Sequence, residues 1–187
     1  MAVGRALMWQ SEMALTVQRD VDATLIPSGD KVSLRAGTLV NVTQALGNAY
    51  TVHVDGNLVR VAGADGDALG LVVLAQEDIN AEPISVEEKV WMQLRTCYDP
   101  EIPVNMVDLG LIYACILTPL GHDDVHVAIT MTLTAPGCGM GPVLVKEIEE
   151  KLRQIREVKS VKIDLVFDPP WSKDHMTDEA KLQLGLL

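Results

Sequence analysis

GLIYACILTPLGHDDVHVAITMTLT, Gly110 to Thr134, decides the fold. It holds two apolar runs, GLIYACILTP and VHVAITMTLT, with the turn residues GHDD between them. Runs of this length joined by so short a polar turn predict an antiparallel hairpin. In the second run Val127, Ile129, Met131 and Leu133 alternate with Ala128, Thr130, Thr132 and Thr134. Side chains point to opposite faces at every step, so the odd positions are expected to face a core.

The flanks of this hairpin read as helices. Upstream, Ser85 followed by Glu88 fits a capping box. Val86, Val90, Leu94 and Cys97 then share one helical face. Pro100 and Pro103 prevent continuation, so this helix is expected to end near Cys97. Downstream, Pro142 suits a first helical turn, where its missing N–H has no partner to lose. From there the pattern predicts a helix to about Val158, with Val145, Ile148, Leu152 and Ile155 buried. Lys146, Glu149, Glu150, Lys151, Arg153 and Arg156 are expected in water. A last strand, VKSVKIDLVF, alternates Val161, Ile163, Leu165 and Phe167 and is broken by DPPW. Thr177 starts a short terminal helix. The result is an α+β domain, α-β-β-α-β, with helices packed on a small mixed sheet.

Residues Val17 to Leu74 have another texture. Short β-branched runs are punctuated by PSGD, LGN and DGN, and Asp-Gly is a strong hairpin signal. A small all-β module, barrel or sandwich-like, is expected here. His53 lies on one of its strands and reads as a surface residue. The polar EDINAEPIS stretch marks the change. The organisation is therefore a β-rich domain at 1–76, a linker at 77–85 and an α+β domain at 86–187.

The bulk properties exclude several functions. A net charge of −11 repels a phosphate backbone, so nucleic-acid binding is not expected. No apolar stretch approaches the roughly 18 residues of a spanning helix. The first residues, MAVGRALMWQSEMALTVQRD, lack the long apolar region and cleavage site of a signal peptide. Three scattered cysteines argue against a disulfide framework and for a reducing, cytoplasmic setting.

Chemistry points to LTAPGCGMGPVL, Leu133 to Leu144. Cys138 falls at or just before the start of the Pro142 helix, where free N–H groups and the positive dipole end favour a thiolate. Gly137, Gly139 and Gly141 allow positive φ and close backbone approach. A small anion or a sulfide-bridged metal cluster suits such a nest. Cys97 and Cys115 fall on apolar faces and read as core residues. A second constellation, YDPEIPVNMVDLGLIY, concentrates Asp99, Glu101 and Asp108. In the plainer reading Asp99 caps its own loop, and in the sharper one Asp99 or Glu101 stands beside Cys138. Ligand spacing is sparse, with no C-x-x-C or H-x-x-x-H pair. One chain cannot supply the four thiolates an iron–sulfur cluster takes, so a cluster on Cys138 must be shared with another subunit, another protein or a small thiol. A thiol enzyme with His175 or Glu101 as base is a competing reading.

DPEIPVNMVDLGLIY, MTLTAPGCGMGPVL and FDPPWS resemble, in order and spacing, the MIP18/DUF59 family of iron–sulfur cluster assembly proteins. The resemblance covers about Glu82 to Leu187. The upstream block ending in DGDALG resembles the extra domain of a long-form member belonging to the SUF system, with Gly66 where a second Ala is expected. The resemblance implies a non-enzymatic role in maturing iron–sulfur proteins. It assigns the reactive cysteine to Cys138 and the family acids to Asp99 and Glu101. It also matches Thr134 to the position before the P-G-C turn and Trp171 to the P-P-W block. It implies the SUF machinery and client proteins as partners, and a transient cluster whose sharing favours a homodimer. Related members also suggest an accessory subunit of a multicomponent oxygenase as the alternative.

Overall fold

The computed structural model describes residues 13–74, 78–81, 83–99 and 101–187. The reading that no leader is present rests in large part on residues 1–12, which lie outside the described residues. So do Glu77 and Glu82 of the expected linker, and Pro100. The chain divides into two compact units, Met1–Gln76 and Glu77–Leu187. Among the described residues no helix is long and apolar enough to cross a membrane.

The first unit is all-β. Its strands are β1 (Met13–Thr16), β2 (Val21–Ile26), β3 (Lys31–Leu34), β4 (Leu39–Leu46), β5 (Ala49–Val54) and β6 (Asn57–Ala62). They form one antiparallel sheet in the order β1-β4-β5-β6-β2-β3. Asp55 and Gly56, at φ 47° and 80°, make the two-residue turn that the Asp-Gly signal predicts. Val40, Val42, Val52, Val59, Val61 and Leu69 supply much of one aliphatic core. His53 is exposed. The DGDALG motif has a structural use. Asp67 grips the Arg19 guanidinium through both oxygens, at 2.7 and 2.8 Å, and Asp65 adds a bond of 2.8 Å. Between them, Gly66 lies so close to the Val72 carbonyl and the Tyr50 ring that a Cβ would overlap the carbonyl. Packing thus accounts for glycine where the resemblance leads one to expect alanine.

The second unit contains α1 (Val86–Arg95), β7 (Ile112–Gly121), β8 (Asp124–Met131), α2 (Gly141–Leu152), β9 (Val158–Leu165) and α3 (Asp178–Gln183). The sheet order is β7-β8-β9, with β7 antiparallel and β9 parallel to β8. The hairpin turns at His122 and Asp123, at φ 53° and 67°. Val127, Ile129, Met131 and Leu133 are buried, as their alternation predicts. The capping box forms: Ser85 Oγ accepts from the Glu88 amide, and Glu88 accepts from the Ser85 amide. α2 packs against β9, and α1 against α2. Within the expected linker, Ile79 is buried, and the Asn80 side chain bonds Gln154 O and Arg156 N, each at 2.8 Å.

Four expectations need correction. α2 stops at Leu152, not near Val158, because tight turns bring Ile155 N to Leu152 O and Val158 N to Ile155 O, and Val158 opens β9. Lys151 is not solvated but 3% exposed. Its Nζ donates to Thr96 O at the end of α1 (2.8 Å) and pairs with Glu147 (3.0 Å). The buried face of α2 accordingly runs through Leu144, Ile148, Lys151 and Leu152, with Val145 only half-buried. Phe167 is exposed because the chain has left the sheet: β9 ends at Leu165, opposite the last residue of β8.

Candidate functional site

The register brings the three sequence blocks together. Ile112 pairs with Met131, and Met131 with Leu165. Since β7 runs opposite to β8 and β9, the segment entering β7 and the segments leaving β8 and β9 all lie at one end of the sheet. In open sheets this is where loops converge to build sites. Hydrogen bonds knit the three. Thr132 N donates to Leu111 O (2.9 Å), and Val166 N to Met131 O (2.8 Å). Trp171 Nε1 donates to Leu109 O (2.8 Å), and Tyr113 OH to Pro169 O (2.9 Å). Gly110, at φ 70°, lies directly against the His175 backbone. Sequence reading passed over Gly110. The sequence marks it only as a glycine set between two leucines, Leu109 and Leu111.

The loop entering β7 is held by its own polar groups. Val104, Met106, Leu109 and Leu111 anchor it in the core. Asn105 Oδ1 accepts from Val107 N and Asp108 N, and Asn105 Nδ2 donates to Asp108. Asp99, only 7% exposed, accepts from Glu101 N (2.9 Å) and Ile102 N (3.1 Å) through Oδ1. Asp99 therefore caps its own loop, the plainer of the two readings. Glu101 is exposed, and no hydrogen bond among the described residues ties either acid to Cys138. Burial raises the Asp99 carboxyl above its ordinary range, against the two amide bonds that favour the anion.

That shift carries a prediction. The native state holds its proton more tightly than the unfolded chain. The stability contribution is thus full below the ordinary carboxylate range and is lost as pH rises through the raised native value. Asp99→Asn keeps an acceptor for both amides and removes the buried charge. It is expected to match or exceed the wild type in stability at about pH 7, its advantage shrinking toward about pH 4 as the wild-type acid takes up its proton. Urea midpoints at the two pH values check this. A variant clearly weaker than wild type at neutral pH would contradict it.

The cysteine loop is pinned at both ends by buried Leu133 and Met140. Between them, Cys138 N donates to Ala135 O (3.4 Å) and Gly141 N to Cys138 O (3.1 Å), giving two consecutive turns. Of the three glycines only Gly137 uses positive φ, at 81°. A Cβ on Gly141 would come within 3.1 Å of Leu133 and 3.4 Å of Leu165, so this glycine seats the start of α2 on the sheet. Thr134, Cys138 and Gly139 are half-buried. Cys97 is buried, as read. Cys115, expected in the core, is only half-buried, because β7 buries none of its side chains fully; burial with the nearby Glu87 charge pushes its thiol up to about 11. His175 lies with its ring on Tyr113 and its Nδ1 accepting from Ser172 N. Among the described residues no three His, Cys, Asp or Glu side chains are grouped to hold a metal ion.

The sequence model of the family described as "Iron-sulfur cluster assembly protein" matches residues 87–165. The chain is 48% identical over 109 residues to a Porphyromonas gingivalis "Fe-S protein maturation auxiliary factor", covering 58% of this chain and 100% of that one. It is 38% identical over 89 residues to the "Fe-S protein maturation auxiliary factor SufT" of Staphylococcus aureus, covering 47% and 96%. A crystal structure of a "Domain of Unknown Function DUF59" from Bacillus anthracis aligns with a TM-score of 0.47 and 35% identity, covering 55% of this chain and 93% of that one.

Proposed function

The chain belongs to the iron–sulfur cluster assembly protein family, and from this premise we propose that it is a non-catalytic, cytoplasmic maturation factor that takes up a cluster and passes it to client proteins through Cys138. One observation carries the reading: a single thiol stands in a loop pinned at both ends, at the sheet end where three sequence blocks converge. Gly137, Gly139 and Thr134 shape the loop around the thiol. Asp99 and Glu101 hold and border the neighbouring loop. In this reading the domain at 86–187 does the transfer, while 1–76 forms a separate module beyond a junction at 77–85.

The cluster is cargo. Cys138 offers one thiolate, and the remaining ligands come from a second chain, a partner protein or a small thiol. Transfer exchanges one thiolate for another at iron without a change of oxidation state. The proton released by the incoming thiol goes to the departing one. A site with one protein ligand per chain suits release, which a resident redox centre must avoid. The SUF machinery is the expected donor and iron–sulfur apoproteins are the expected recipients. His175, turned toward Ser172, supports this reading over a thiol enzyme that uses it as base.

In cells lacking the protein, the wild-type chain is expected to restore aconitase activity under iron limitation. Cys138→Ala is expected to leave it at the level of the deletion. Full restoration by Cys138→Ala would overturn the cysteine-centred mechanism.

A further inference from the structure

α1 has two apolar faces, and the fold uses one of them. Val90 and Leu94 are buried on the inner face, beside Lys89 and Gln93. On the outer face, Glu88, Trp91, Met92 and Arg95, with Ile84 from the segment before the helix and Val107 from the loop after it, line a groove of about 560 Å³. Within the helix, positions 88, 91, 92 and 95 fall at i, i+3, i+4 and i+7, the stripe along which a second helix packs. Trp91 is half-buried and Met92 is 42% exposed. Tryptophan, methionine and arginine on an outer face are the residues that interfaces favour.

The charges choose the occupant. Arg95 makes no ion pair among the described residues. Two copies of α1 laid antiparallel, centred between Trp91 and Met92, place Glu88 of each against Arg95 of the other. The same register sets Trp91 of each on Met92 of the other. The face is thus complementary to itself, which is the requirement of a two-fold interface. The chain carries a net charge of −11, so two copies repel unless a local pattern of this kind draws them together.

We propose that the outer face of α1 is the surface through which two copies of this chain associate as an antiparallel, two-fold pair. The surface contains no part of the Cys138 loop, so the proposal goes beyond the carrier reading and stands or falls without it. Three turns of helix make a small interface, so the association is expected to be weak and reversible.

The test is sedimentation velocity on the full chain at about 10 to 500 µM, the range over which a small interface associates. The wild type should shift with concentration from 20.3 kDa toward twice that mass. Arg95→Glu alone and Glu88→Arg alone should each stay monomeric, because each sets like charges against each other. Their equimolar mixture should dimerise again, since both cross-pairs are then opposite in sign. Glu88→Arg also loses the capping box, so Met92→Lys provides a check at an exposed position. With circular dichroism unchanged, it should abolish the dimer. A monomeric wild type throughout the range would overturn the proposal, as it leaves the groove to another partner. So would a dimer that survives Met92→Lys, or folded single variants that fail to pair on mixing.

Discussion

Replacing Gly110 by alanine is expected to cost about 2–5 kcal/mol of folding stability. Two terms contribute. Gly110 sits at φ 70°, where a Cβ is strained by about 1–2 kcal/mol. The new Cβ would also overlap the His175 carbonyl, and forcing apart such a contact costs about 1–3 kcal/mol. Gly137→Ala separates the two terms. Gly137 has a similar φ of 81°, but a Cβ there meets nothing within 4 Å. Its loss should be the backbone term alone. Urea denaturation of both variants measures the difference. Hydrogen exchange should show faster opening of the amides at His175, Met176 and Thr177 in Gly110→Ala, because these bond Ser172, Lys173 and Asp108. Equal losses at the two glycines would mean that the segment after β9 is not packed on the loop before β7.

Lys151→Ala should be comparably severe, at about 3–5 kcal/mol. The lysine is buried between two helices, and its Nζ serves both Thr96 O and Glu147. Truncation removes the buried Lys151–Glu147 ion pair and leaves a carbonyl at the end of α1 without its donor. Both losses cost more than the ion pair itself contributes, since desolvation of the charge remains. The double variant Glu147→Leu/Lys151→Met replaces the pair by apolar groups and should recover most of the stability. The exposed pair Lys146–Glu150 is the control, where Lys146→Ala should cost under about 0.5 kcal/mol. If the two lysine variants behaved alike, Lys151 would not be a buried tie between α1 and α2.

Lys151 also shows where sequence reading stops. Helical phase assigns it to the edge of a charged face, and nothing local announces that the last carbonyls of α1 lie above it. Signals closed within a few residues were legible: the capping box at Ser85, the Asp55-Gly56 turn, the alternation in β8, the Thr177 cap of α3. Phe167 misled because alternation continues in the sequence after its partner strand has ended at Met131.

The blocks of the candidate site were legible in the sequence and their arrangement was not. Three separate blocks could be picked out, but their meeting depends on β9 lying parallel to β8, a pairing between residues far apart in the chain. The two glycine positions that matter most for packing, Gly66 and Gly110, are defined by what touches them, which composition does not record. Asp99 allowed two readings from spacing alone. Its bonds to Glu101 N and Ile102 N show that it caps the loop.

Anaerobic reconstitution of the full chain with iron, sulfide and a small thiol tests the account's central claim most directly. Visible charge-transfer absorption and Mössbauer spectra report any cluster formed, and activation of an apo-aconitase reports its release. The wild type, Cys97→Ala and Cys115→Ala should each take up a labile cluster and activate the acceptor. Cys138→Ala should do neither. A Cys138→Ala chain that loads and delivers a cluster as the wild type does would contradict the account.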